Sequence, residues 1–181
     1  DKAQAPTLSN GKLLSGITSS QTSLVITGGI ASEYNQNATQ IIRINDELIS
    51  YTAVVTGGTG DLTFSGLVRG FSDTEASSHD AGDTAQGCLF YDNIRPDLIA
   101  KDLLLTYGNI KTAYIDNAEW SGQGSTWFGS VSGSRIISEP TGVTDLLGEL
   151  SEQFMFYIWW DSLTQLIRFK AIAPEFLEPV M

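Results

Sequence analysis

The feature that most restricts this chain is its punctuation. Through residues 1–92, short runs of β-branched and apolar residues are cut by Gly, Asn and Asp every few positions. Runs of that length favour antiparallel strands joined by tight turns. Leu24 to Thr27 ends at Gly28-Gly29. Thr39 to Ile44 meets Asn45-Asp46, and a run continues from Glu47 to Val55. Asn-Asp between two such runs predicts a hairpin, since both residues tolerate left-handed backbone angles. Gly57-Gly58-Thr59-Gly60 predicts the next turn and Leu62 to Val68 the next strand. A polar loop, Arg69 to Gly82, then leads into a strand over Thr84 to Tyr91.

The pattern changes near residues 92–96. Arg95-Pro96-Asp97 predicts a helix start, with Pro and an acid tolerated in a first turn. Leu98, Leu104 and Leu105 are its apolar positions and Gly108 its stop. The Gly/Ser-rich stretch 121–134 reads as a loop anchored by Trp127 and Phe128. Val143, Leu146, Leu147 and Leu150 follow helical spacing over Val143 to Phe154, with Thr141 as the expected cap. Met155 to Trp160, a turn at Asp161-Ser162 and Gln165 to Ile172 predict a β-hairpin. In it Ile167, Phe169 and Ala171 alternate with Arg168 and Lys170. The expected fold is therefore mainly β: a small β barrel or sandwich over 1–95, then an α+β module of helix plus β-hairpin over 96–181, incomplete alone.

Composition narrows the function. The chain has 181 residues and a net charge of −11, with 5 basic against 10 acidic residues up to Arg95 and 5 against 11 after it. With no basic stripe to displace counterions, stable binding to nucleic acid is not expected. The single cysteine, Cys88, excludes an internal disulfide and a Cys-rich zinc site. Residues 1–12 lack the apolar centre of a signal peptide, and no apolar run reaches the roughly 20 residues that span a bilayer. The start at Asp1 and the interrupted segment 173–181 lead us to expect an interior piece of a longer protein.

Catalytic and ligand patterns are sparse, and no catalytic residue, cofactor or metal site is expected. His79 is the only histidine; it would be a general base beside Asp80 or Asp83, or a loop histidine bonded to its turn. No nucleophile motif accompanies it, and Cys88 in an apolar strand reads as a core thiol. Asp73, Glu75, Asp80 and Asp83 could form a calcium loop, but their spacing misses the helix-loop-helix pattern. Gly57 to Gly60 and Gly122 to Ser125 lack the Gly-Lys-Ser/Thr ending of a phosphate loop and read as turns. Asp116 and Glu119 flank Trp120 as a glycosidase pair could, a weak pattern among 21 acids. Phe156, Tyr157, Trp159 and Trp160 could be a sugar-stacking platform, or core and interface packing. Adjacent Trp on a strand face opposite ways, so one is expected in the core and the other under a neighbouring domain or subunit. Trp159, Trp160, Trp120 and Trp127 are the interface candidates.

Two stretches resemble a known family. Ile44-Asn45-Asp46-Glu47-Leu48-Ile49-Ser50-Tyr51-Thr52, Gly66-Leu67-Val68-Arg69-Gly70, Thr74-Glu75-Ala76 and His79-Asp80-Ala81-Gly82-Asp83 resemble a pattern of phage tail and tail-fibre proteins. Ser72-Asp73-Thr74 departs from it where a Gly precedes the Thr. From Tyr114 to Pro174, Tyr114-Ile115-Asp116, Glu119-Trp120, Pro140-Thr141-Gly142-Val143, Asp145-Leu146-Leu147, Trp159-Trp160-Asp161 and Ile167 to Pro174 resemble tail-hub proteins of tailed bacteriophages. The resemblance implies a structural, non-enzymatic part of the tail tip or baseplate hub, in the virion. Its partners would be other tail proteins and further copies in a homo-oligomeric ring, with transient contact to a host surface. The alternative is a carbohydrate- or receptor-binding module at the tail tip.

Overall fold

A computed structural model describes residues 3–34 and 40–172. The strand start expected at Thr39 and the segment 173–181 lie outside the described residues. The chain is mainly β and divides into two compact units. One comprises residues 4–92 with 135–141; the other is built around 93–134 and 142–172. The return of 135–141 to the first unit departs from a single boundary near 95.

The β unit is set by alternation. Its strands are β1 (Gln4–Ala5), β2 (Lys12–Leu13), β3 (Ser23–Thr27), β4 (Gln40–Ile44), β5 (Glu47–Tyr51), β6 (Ala53–Thr56), β7 (Leu62–Ser65) and β8 (Ala85–Ile94). Further along come β9 (Gly133–Ile137) and β10 (Thr141–Gly142). One open sheet has the order β2-β3-β7-β6 and the other β5-β4-β8-β9, while β1 pairs with β10. Neither four-stranded sheet closes, so the barrel, one of the two architectures expected, is not formed. Leu24 and Ile26 of β3, Ile42 and Ile44 of β4, Ile49 and Tyr51 of β5, and Leu62 and Phe64 of β7 form one buried cluster. Each pair is two residues apart, the period of a strand face. The Phe64 ring stands edge-on to Tyr34 and Tyr51, with centroids 5.2 and 4.8 Å away. The Tyr51 hydroxyl donates to the Tyr34 carbonyl and the Tyr34 hydroxyl to the Ala85 carbonyl at 3.0 Å, so the aromatic centre carries no unsatisfied phenol.

Two expected strands prove to be corners. The run Glu47 to Val55 bends at Thr52, leaving one sheet as β5 and entering the other as β6. The run Leu62 to Val68 ends its first ladder at Ser65, turns at Gly66, and rejoins the other sheet where Val68 and Ser50 exchange backbone bonds of 2.9 and 3.1 Å. Gly66 has φ +66°, and a Cβ there would lie 2.1 Å from Thr52 Oγ1. Both the angle and the space require glycine. Asn45 turns the β4–β5 hairpin at φ 52°.

The second unit contains α1 (Pro96–Asp102), α2 (Asn117–Phe128), α3 (Val143–Phe154) and the hairpin β11 (Phe156–Asp161) with β12 (Leu166–Ala171). Helix α1 runs on through a π-turn at Leu103–Tyr107. Its buried face is Ile99, Ala100 and Leu103, while Leu98, one of the apolar positions of the sequence pattern, is 46 % exposed. Helix α3 has the expected bounds and buries Val143, Leu146 and Leu150. Its cap position is Gly142 rather than Thr141, whose hydroxyl donates instead to the Glu139 carbonyl.

Helix α2 occupies the stretch read as a loop and, at Gly122 to Ser125, as a turn. Asp116 caps it, accepting from the Ala118 and Glu119 amides at 2.9 and 3.2 Å. Trp120, Gly124 and Phe128 recur at four-residue spacing and are its buried stripe. Packing of that stripe outweighs the poor helix propensity of its Gly and Ser residues, each costing up to about 1 kcal/mol. Gly124 is also where the buried Asp97 carboxylate lies, since a Cβ there would sit 2.1 Å from Asp97 Oδ2. Asp97 is held in turn by Arg95 at 2.9 Å.

The two helical glycines should therefore respond with opposite signs. Gly122 has nothing within 4 Å of a built Cβ, so Gly122→Ala should stabilise by up to about 1 kcal/mol. Gly124→Ala should destabilise by about 1–3 kcal/mol through overpacking. Chemical denaturation checks this; stabilisation by both changes would contradict the α2 packing.

Candidate functional site

The strand pattern puts a charge into the core. Glu47, Ile49 and Tyr51 alternate on the inward face of β5, so the carboxylate enters the same interior as the apolar side chains. Its side chain is fully covered, and those of Arg69 and His79 are 7 % and 2 % exposed. An unpaired carboxylate there would cost several kcal/mol. Every lone-pair direction is instead used. Arg69 Nε and Nη2 donate to it at 2.8 and 2.7 Å, the Gly70 and Ser77 amides at 2.9 and 3.1 Å, and His79 Nε2 at 2.8 Å.

The donors are fixed from behind. Arg69 also donates to the carbonyls of Thr18 and Ser77. His79 and Ile17 exchange backbone bonds of 3.0 and 2.9 Å. On its other side, His79 Nδ1 lies 3.4 Å from Asn45 Nδ2. The same Asn45 amide donates to Asp83 at 2.9 Å, and Asp83 accepts the Asp80 amide at 3.1 Å. Residues 69–70, 77 and 79 thus meet on one carboxylate, and segments 17–18, 45 and 80–83 brace them.

Burial alone would raise the Glu47 pKa, but Arg69, the Ser77 and Gly70 amides and His79 outweigh it and bring the value down to about 2. The arrangement suits cohesion. Glu47 and His79 are both closed to solvent, and the carboxylate has no free lone pair with which to take a proton. His79, read as a loop residue, is thus a buried tie. Cys88 is buried on β8, and burial pushes its thiol up to about 12, far from a thiolate nucleophile. Asp116 is the α2 cap, and Glu119 pairs with Arg168. Among the described residues no three His, Cys, Asp or Glu side chains come together as metal ligands.

The tryptophans divide differently from expectation. Trp120 is 1 % exposed, packs on Phe169 at 4.9 Å, and donates from Nε1 to the Ile167 carbonyl at 3.0 Å. It is core within its own unit rather than an interface residue. Trp127 is exposed and leaves Phe128 as the anchor of its segment. Neither Trp159 nor Trp160 is buried: they are 40 % and 51 % exposed. Phe156 and Phe169, 4.9 Å apart, take the core positions assigned to a tryptophan. Glu47 and Arg69 both stand in the stretches that resemble tail proteins, but no pattern there pairs them; the local signal for burial is an acid in phase with the inward Ile49 and Tyr51.

Because the folded pKa of Glu47 lies below its ordinary 4.5, the carboxylate stabilises the fold fully above about pH 4.5. That contribution, about 3 kcal/mol, should be lost as the pH falls from 4.5 towards 2. Glu47→Gln should cost about 3–5 kcal/mol at neutral pH by leaving Arg69 uncompensated, and should flatten the acid limb. Urea titrations of both proteins across this range check it; equal acid limbs would contradict the assignment.

Compared with family models, curated proteins and solved structures, the chain matches none.

Proposed function

We propose that this chain is a structural component of a bacteriophage tail tip or baseplate hub, resident in the virion, where it closes or extends the tail tube. Its partners are other tail proteins and further copies of itself in a ring. In this reading residues 1–95 are a two-sheet sandwich and residues 96–181 the tube-forming module. The observation that carries the proposal is the Glu47–Arg69–His79 tie. Within the stretches that resemble tail proteins, five residues, Glu47, Arg69, Gly70, His79 and Asp83, meet on one buried carboxylate or brace it. A motif whose members converge on cohesion fits a module selected for architecture. The exposed aromatic residues of β11 fit a subunit with neighbours.

The acidic charge has a role in the same reading. Duplex DNA carries one negative charge per about 1.7 Å of axis, so a basic wall would hold it and an acidic wall lets it pass. Asp102, Glu149 and Glu152 are the candidates to face a lumen. Asp97, the other acid of α1, is not among them, because it is 2 % exposed and bonded to Arg95.

Two measurements test the reading. Immunogold labelling of tailed virions from the source of the sequence should mark the tail end distal to the capsid; label confined to the capsid, or none on the virion, would contradict it. A gel-shift titration with duplex DNA at physiological salt should give no complex, and a stable complex would sink the smooth-wall argument.

A further inference from the structure

Hairpin β11–β12 has one guarded edge and, among the described residues, one edge without a strand partner. On β12 the outer edge is occupied: Ile167 bridges Ile115 and accepts from Trp120 Nε1, and the Ala171 amide donates to Gln123 Oε1 at 3.3 Å. On β11 no described residue pairs with the outer edge. The bond from the Ile172 amide to the Met155 carbonyl fixes the phase of the ladder. In an antiparallel pair hydrogen-bonded residues alternate, so Tyr157, Trp159 and Asp161 bond to β12. Phe156, Ile158 and Trp160 direct their N–H and C=O groups outward.

This edge lacks the usual protections. It holds no Pro or Lys, and no charge before Asp161. Tyr157 and Trp159 lie on one face, 44 % and 40 % exposed with centroids 5.2 Å apart. Trp160 lies on the other face, beside Tyr114 at 5.7 Å.

We propose that β11 pairs with β11 of a second copy of this chain, antiparallel across a two-fold axis at Ile158, joining two hairpins into one four-stranded sheet. The outward groups are symmetric about Ile158, so this register alone engages all three outward residues. Ile158 meets its counterpart, and Phe156 meets the partner's Trp160. Tyr157 then stands opposite the partner's Trp159 at the close spacing of a non-hydrogen-bonded pair, and the contact repeats by symmetry. Asp161 falls opposite the partner's Met155, so the pairing sets no like charges against each other despite the net charge of −11. The three part-exposed aromatics retain about 100 Å² each. The contact is thus smaller than the about 800 Å² per partner of a standard interface, and the dimer is a weak one. The proposal is argued from the hairpin alone; it uses the same exposed β11 aromatics as the tail reading, and a two-fold contact here does not by itself build the proposed ring.

Sedimentation velocity on the whole chain, from micromolar to several hundred micromolar, tests it. The expected result is a reversible monomer–dimer equilibrium with its midpoint in the micromolar range. The double variant Tyr157→Lys with Trp159→Lys sets Lys opposite Lys twice and should weaken the dimer at least tenfold. Tyr157→Lys with Trp159→Glu sets Lys opposite Glu twice and should restore it. Circular dichroism melts confirm that both variants fold, since both side chains lie on the outer face. A monomer at every concentration, a trimer or larger ring in place of a dimer, or a dimer indifferent to both variants would overturn the pairing.

Discussion

The β unit depends on one buried carboxylate. Glu47 sits where the alternation of β5 demands an apolar residue, and its charge is tolerable only because five donors converge on it. Those donors all come from residues 69–79, 22 to 32 positions along the chain from Glu47, so satisfying Glu47 also dictates the path of the long polar stretch from Arg69 to Gly82. A hydrophobic residue there would pack, but it would leave that stretch without a reason to fold back. Removing one member of such a pair leaves the other charge buried and uncompensated, so the apolar cluster around Phe64 and the loop that covers it hold together through Glu47.

Much of the architecture follows from periodicity. Strands β3, β4, β5, β7 and β8 lie where alternation and Gly or Asn turns predict them, and α3 follows the spacing of Val143, Leu146 and Leu150. The failures have physical causes. Helix α2 is hidden by Gly122, Ser125 and their neighbours, whose local preference is a loop. Its buried stripe of Trp120, Gly124 and Phe128 overrides that preference through contacts invisible in a local window. The corners at Thr52 and Gly66 are continuous β-prone runs in sequence, and only the cramped approach of Gly66 to Thr52 marks the change of sheet.

The site was legible in part. His79 was singled out for its rarity, yet its partner is an acid 32 positions away, and nothing in the loop itself points there. The adjacent tryptophans show the limit of the alternation rule. It correctly places Trp159 and Trp160 on opposite faces. It does not reveal that Phe156 and Phe169 fill the core first, leaving both indoles part-exposed on β11.

The central claim is that Glu47 and Arg69 act as one unit rather than as two independently useful residues. A double-mutant cycle of Glu47→Gln and Arg69→Met, read by chemical denaturation at neutral pH, tests it most directly. The account predicts that the second change costs far less once the first is made, with a coupling of at least about 2 kcal/mol. Additive losses would contradict it.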